Sequence, residues 1–232
     1  MGGMPRLILL ALAGTILLRA ADPPPASLLI TYQCAPQDRP ALRRAMLESG
    51  LARFQHWQEA GLLSSYLILF SRHVDTGNWD MLAVLNFADY TKMERWNEIE
   101  HRWPAGLAKE ELSLMTDVRT DLVDMVHGGD GGDPPEKPVF VVTPLEIADA
   151  SEAVAQIEGP IASEANRRVS DKAIAMYQTF LTRPPGSTAL LIQEYASEQA
   201  FEERARTNIA VRPGEAGITE KRSVVAEELR LR

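Results

Sequence analysis

Few residues in this chain are of a type that does chemistry, and their spacing is uninformative. The histidines are His56, His73, His101 and His127, and the single cysteine is Cys34. No two histidines stand at helix or strand spacing for a shared metal, and one thiol excludes a thiolate metal site or an intrachain disulfide. No metal centre is therefore expected. Ser64, Ser65 and Ser163 lack a nucleophile-elbow context. The run Gly128–Gly132 lacks the strand, helix and lysine of a phosphate cradle. Asp121 and Asp124 lie in a strand-like run and read as its wet face, not as an acid–base pair.

Aromatic residues are the remaining candidates. Tyr32, Phe70, Phe87, Trp96 and Trp103 all fall in the first half and could wall a small-molecule pocket. At about 100° per residue, Met93, Trp96, Ile99 and Trp103 share one side of a helix, and His101 lies roughly 140° from Trp96. His101 is thus expected to face solvent, as is His56 on an earlier helix. His73 ends a strand and, with Tyr32, is the candidate for a catalytic role. Every histidine and every tryptophan precedes residue 128.

The elements that must position these groups occur twice. Leu82–Met93 reads LAVLNFADYTKM, and Leu190–Phe201 reads LLIQEYASEQAF. Each is an apolar strand ending in an aromatic, then Ala, a capping Asp89 or Ser197, and a helix with a large apolar residue four positions on. Around them, Ser27–Cys34, Ser65–Arg72, Asp80–Phe87 and Val118–Val126 read as strands. Helices are predicted over 41–63 and from Asp89 to Trp103, with a short one over 105–115. Turn chemistry at 75–78 joins two of the strands. After 127, strands are predicted over 139–147, 173–181, 188–195 and 218–229. Helices are predicted over 150–169, interrupted at Gly159-Pro160, and from Ser197 to before Pro213-Gly214. The order is β-α-β-β-α-β in both halves. The segments are a leader (1–21), a Pro-rich spacer (22–26), a first repeat (27–127), a Gly/Pro linker (128–137) and a second repeat (138–232).

The chain has 232 residues and a formal net charge of −8, a balance that repels nucleic acid and anionic lipid. Arg6 followed by Leu7–Leu18 and Ala20-Ala21 has the form of a secretion signal. The expected address is secreted or periplasmic, with no stable membrane embedding after cleavage. The alternative is an N-terminal membrane anchor, since Leu18 sits where a cleavage site prefers a small residue.

The element order and the repeated aromatic-Ala-cap junction resemble the dimeric α/β-barrel group of ferredoxin-like domains, including NIPSNAP-like proteins and antibiotic-biosynthesis-type monooxygenases. The resemblance implies an α+β fold in which two tandem repeats pair their antiparallel sheets into one barrel. A monomer with an intramolecular pseudo-dimer, or a higher homo-oligomer, follows from it. A sheet covered by helices on one face leaves its other face apolar, and a tethered second copy covers that face. The group also contains haem proteins. The chlorite-dismutase-like ones take their haem histidine from the second copy, which here has none. Those that degrade haem place it on the second helix, where His101 faces away, so no cofactor is expected.

Three functional readings follow. The first is an exported protein that binds a small apolar or aromatic molecule in the first repeat. The second is a cofactor-independent monooxygenase-like enzyme using His73 and Tyr32. The third is a structural or interaction protein.

Overall fold

Strand alternation decides the layers. In the computed structural model, β1 (Ala26–Cys34) turns Leu28, Ile30, Tyr32 and Cys34 to one side and Leu29 to the other. The first set packs under helices, and Leu29 joins a separate apolar interior. The structure describes residues 26–74, 78–132, 135–183, 188–207 and 217–231, with only the backbone of 204–207. The leader, most of the spacer, residues 75–77 and 184–187 and the Pro213-Gly214 stop lie outside the described residues.

After β1 come α1 (Arg39–Ala45), a π-helical turn (Met46–Gly50) and α2 (Leu51–Glu59). β2 (Ser65–Ser71) and β3 (Met81–Phe87) follow, then α3 (Tyr90–Glu100), a tight turn (Pro104–Gly106) and α4 (Lys109–Leu112). β4 (Met115–Asp130) ends the first half. The second half repeats the order. It has β5 (Val139–Ile147), α5 (Ala153–Gln156), a π-helical turn (Ile157–Ile161), α6 (Ala162–Ser170), β6 (Met176–Thr182), β7 (Thr188–Tyr195) and α7 (Glu198–Thr207). The last strand is split into β8 (Ile218–Glu220) and β9 (Val224–Glu228), both paired with β5. Asp89 caps α3 by accepting the Lys92 N–H at 2.8 Å, and Ser197 accepts the Ala200 N–H at 3.2 Å.

All pairings are antiparallel, and the order β7-β6-β4-β1-β3-β2-β9-β5 closes through β5–β7 into an eight-stranded barrel, with β8 beside β5. The fold is α+β. Equivalent positions pair alike in the two halves: Ala26 with Phe87 as Val139 with Tyr195, and Ser65 with Asn86 as Met176 with Glu194. The last strand of each half crosses to the free edge of the other. Asp124 on β4 pairs with Leu181 on β6, and Glu227 on β9 pairs with Phe70 on β2. The two crossings make two seams, one between β4 and β6 and one between β2 and β9. Leu29, Leu69, Leu82, Val84, Phe140, Val142, Phe180 and Ile192 fill the barrel interior.

Three local expectations change. The break predicted at Gly159-Pro160 is a π-helical turn, which accommodates the missing Pro160 N–H without ending the helix. An equivalent π turn at Met46–Gly50 contains no proline. The segment expected as linker from 128 begins as strand: Gly128 and Gly129 pair with Gln178 and Tyr177. A Cβ on Gly129 would stand 3.0 Å from the Tyr177 ring, so only glycine lets the strands approach there.

Candidate functional site

The aromatic residues singled out in the sequence sit together between the first-half sheet and its helices. Tyr32, Phe87 and Trp96 are almost fully buried, Phe70 is buried, and Trp103 is half-buried. Phe87 and Trp96 meet edge to face at 6.1 Å, and Trp57 bridges Phe54 and Trp96 at 5.1 Å each. Trp57 was not singled out, although its three-residue spacing from Phe54 marks the same helix face.

Polar atoms in this layer are engaged by the chain itself. The Tyr32 hydroxyl donates to the Ala105 carbonyl at 2.7 Å. Burial, with Glu100 and Glu111 nearby, pushes its phenol well above the ordinary range. Trp96 Nε1 donates to Glu100 Oε1, and Glu100 Oε2 accepts the Ala105 N–H, both at 2.8 Å. Arg53 lies 4.8 Å over the Trp103 ring, donates to the Gly106 carbonyl at 3.1 Å and pairs with buried Glu111. Ala105 and Gly106 have φ of 53° and 74°, so two consecutive left-handed residues turn the chain tightly over Tyr32.

His73 is exposed, and its carbonyl accepts the Ser71 hydroxyl at 3.2 Å. The structure does not bring its imidazole to Tyr32. Beside this strand end is a buried cluster. Arg39 pairs with Asp80, donates to Ser71 Oγ at 3.0 Å and lies 4.9 Å over the Phe70 ring. Asp80 Oδ2 also accepts the Cys34 N–H at 2.8 Å. Burial and Asp80 push the Cys34 thiol up to about 12. His56 and His101 are exposed. Asp121 and Asp124 do not share one wet face: a three-residue step in a strand reverses the side. Asp121 pairs with Arg119, and Asp124 with Arg183.

A cleft of about 540 Å³ lies over the seam where β2 meets β9. Both halves build it. Arg43, Leu47 and Arg72 come from the first, Ser197, Glu198 and Glu227–Arg230 from the second, and Glu136–Pro138 from the connection. Ion pairs cross it, Arg43 to Glu227 at 2.9 Å and Arg72 to Glu198 at 2.6 Å. Arg230 pairs with Glu228 at 2.5 Å and stands 3.9 Å from Glu194. Burial and Glu228 push the Glu194 carboxyl up to about 6, against the pull of Arg230.

The other seam, where β4 meets β6, has different chemistry. Tyr177 donates to Asn166 Oδ1 at 2.8 Å, and its oxygen lies 2.7 Å from His127 Nδ1. His127 stands just before Gly128, where the linker was predicted to begin. It is half-buried within β4, its ring parallel to that of Tyr177 at 5.7 Å. Arg183 pairs with Asp124 and lies 5.0 Å over the Tyr90 ring. Sequence reasoning missed Arg72 and Arg183, although each directly follows the second strand of its repeat.

Among the described residues, no group of three His, Cys, Asp or Glu side chains is placed to hold a metal, and no helix is long and apolar enough to cross a membrane. No family model matches the chain, and no curated protein matches its sequence. Solved structures do match in fold. An anthrone oxidase-like protein is similar at a TM-score of 0.59 and 12% identity, over 90% of this chain and 93% of that one. A candidate monooxygenase from Lactobacillus acidophilus NCFM matches at 0.57 and 13%, over 89% and 93%. A candidate chlorite dismutase matches at 0.52 and 12%, over 90% and 96%. These likenesses show the fold alone, an eight-stranded antiparallel α+β barrel like those of the matched structures.

Proposed function

We propose that this chain is a duplicated barrel, two tandem ferredoxin-like repeats in one polypeptide, that binds a small molecule in the cleft over the β2–β9 seam. The cleft itself carries the reading: it is a concave site of ligand size built jointly by two packed units. Leu47, Pro138 and Leu229 supply apolar wall; four cations face four carboxylates, with Arg43, Arg72 and Arg230 paired to Glu227, Glu198 and Glu228, and Lys137 is the cation offered to a ligand's anionic group. An aromatic or apolar body carrying an anionic group fits that lining. Leu47 and Leu229 of the cleft wall also pack against the first-half aromatic core.

Isothermal titration with benzoate tests this reading. Saturable binding that weakens in Arg72→Ala and Lys137→Ala is expected. Binding of equal strength in both variants, or none to the intact protein, refutes it.

The names of the structural neighbours favour a second reading, a cofactor-independent monooxygenase-like enzyme. Oxygen uptake in the presence of an anthrone tests it, and uptake no faster than without protein refutes it. Export through the leader is part of the proposal and rests on Arg6 and Leu7–Leu18 alone. The kinship with NIPSNAP-like proteins rests on element order.

A further inference from the structure

The positions that line the β2–β9 cleft have counterparts at the other seam. The strand pairings place Arg183 where Arg72 stands and Asp124 where Glu227 stands, and His127 and Arg230 each lie three residues further along the chain from that position. The repeated cap junction places Tyr90 where Glu198 stands. One seam carries interleaved charges at these positions. The other carries two aromatic rings, one ion pair and the only histidine among the described residues with a side-chain hydrogen bond to the ring.

The hydrogen-bond chain fixes that histidine's tautomer. Asn166 Oδ1 can only accept, so the Tyr177 proton points to it. The Tyr177 oxygen must then receive a proton from His127 Nδ1. In the neutral ring this leaves Nε2 with its lone pair free to accept a proton. Asp124 and His127 stand opposite Leu181 and Thr179, two residues apart on β6, which puts the Asp124–Arg183 pair and the imidazole at neighbouring register positions of the seam. The Tyr90 hydroxyl oxygen is buried and has no hydrogen-bond partner among the described residues.

We propose that the β4–β6 seam is a second binding site, for a small molecule with an acidic hydroxyl, a phenol or an enol, whose proton is accepted by His127 Nε2. The hydroxyl proton passes to Nε2, giving an imidazolium and a phenolate, with Arg183 balancing the new negative charge. Tyr177 is a positioning residue that holds the tautomer through Nδ1.

The test uses 4-nitrophenol, whose phenolate absorbs in the visible, with the full chain. Added protein should increase phenolate absorbance saturably. His127→Gln should weaken binding by about tenfold or more, the scale of a hydrogen bond to a charged group. His56→Gln, an exposed histidine at neither seam, should leave it unchanged, and circular dichroism shows that each variant is folded. Nitrogen-detected NMR should report His127 protonated at Nδ1 and a mixture of tautomers in Tyr177→Phe. No phenolate increase, equal binding in His127→Gln, loss in His56→Gln, or a proton on Nε2 in the neutral ring would overturn the assignment. Because the benzoate experiment reads the other seam, either proposal can fail without the other.

Discussion

Arg72 and Arg183 occupy the same place in the two halves, and each reaches across a seam to the start of a helix in the other half. Arg72 pairs with Glu198 in the first turn of α7, and Arg183 stacks over Tyr90 in the first turn of α3. The partner residues differ, so one contact is an ion pair and the other a cation–π contact.

These contacts should differ in strength. Glu198 is exposed and Arg72 partly so, and their coupling in a double-mutant cycle should be below about 1 kcal/mol. Arg183→Ala loses both an ion pair and a ring contact and should cost about 1–2 kcal/mol in urea unfolding. A larger loss in Arg72→Ala than in Arg183→Ala would contradict this ordering.

The Arg39–Asp80 pair is a different case, because both partners are buried. Asp80→Ala leaves a guanidinium without its counter-charge and a Cys34 N–H without its acceptor. A loss of about 3–5 kcal/mol is expected from denaturant unfolding. Asp80→Asn, which retains an acceptor, should cost less. A loss under about 1 kcal/mol in Asp80→Ala would show that the site relaxes or hydrates.

Glu194 gives a pH signature. Its carboxyl is pushed from an ordinary 4.5 up to about 6, so the folded protein holds this proton more tightly than the unfolded chain. Its contribution to stability is therefore full below about 4.5 and is lost as pH rises through 6. Glu194→Gln should be more stable than the parent by about 1 kcal/mol at neutral pH, after discounting for screening by Arg230. The advantage should shrink toward acid. A difference that does not vary with pH would count against this account.

The turn over Tyr32 supplies a paired test. Ala105 holds a left-handed backbone that glycine adopts without steric cost, so Ala105→Gly should be neutral or slightly stabilising, by up to about 1 kcal/mol. Gly106→Ala puts a Cβ 2.9 Å from Phe54 at a positive φ and should destabilise by more than about 1 kcal/mol. Thermal unfolding of the two variants checks the contrast. Similar midpoints for both would mean that the turn is not held as described.

Local pattern made much of this protein legible. An apolar run marked β1 as a strand, Asp89 and Ser197 marked the starts of α3 and α7, and helical spacing put Trp96 inward and His101 outward. These features depend on neighbours a few residues away, so their physics is written in consecutive positions. The recurring element order was legible for the same reason, as a repeated strand–cap–helix junction. The seams were not. His127 and Tyr177 are 50 residues apart, and Arg72 and Glu198 are 126 apart. Only barrel closure, which carries β4 and β9 onto the opposite edges, brings them together. The sequence placed every histidine and tryptophan in the first half, which pointed to that half as the seat of function. What only the tertiary structure decided is that residues of both halves meet at each seam, because the energy of closing the barrel lies in long-range pairing that no local period records.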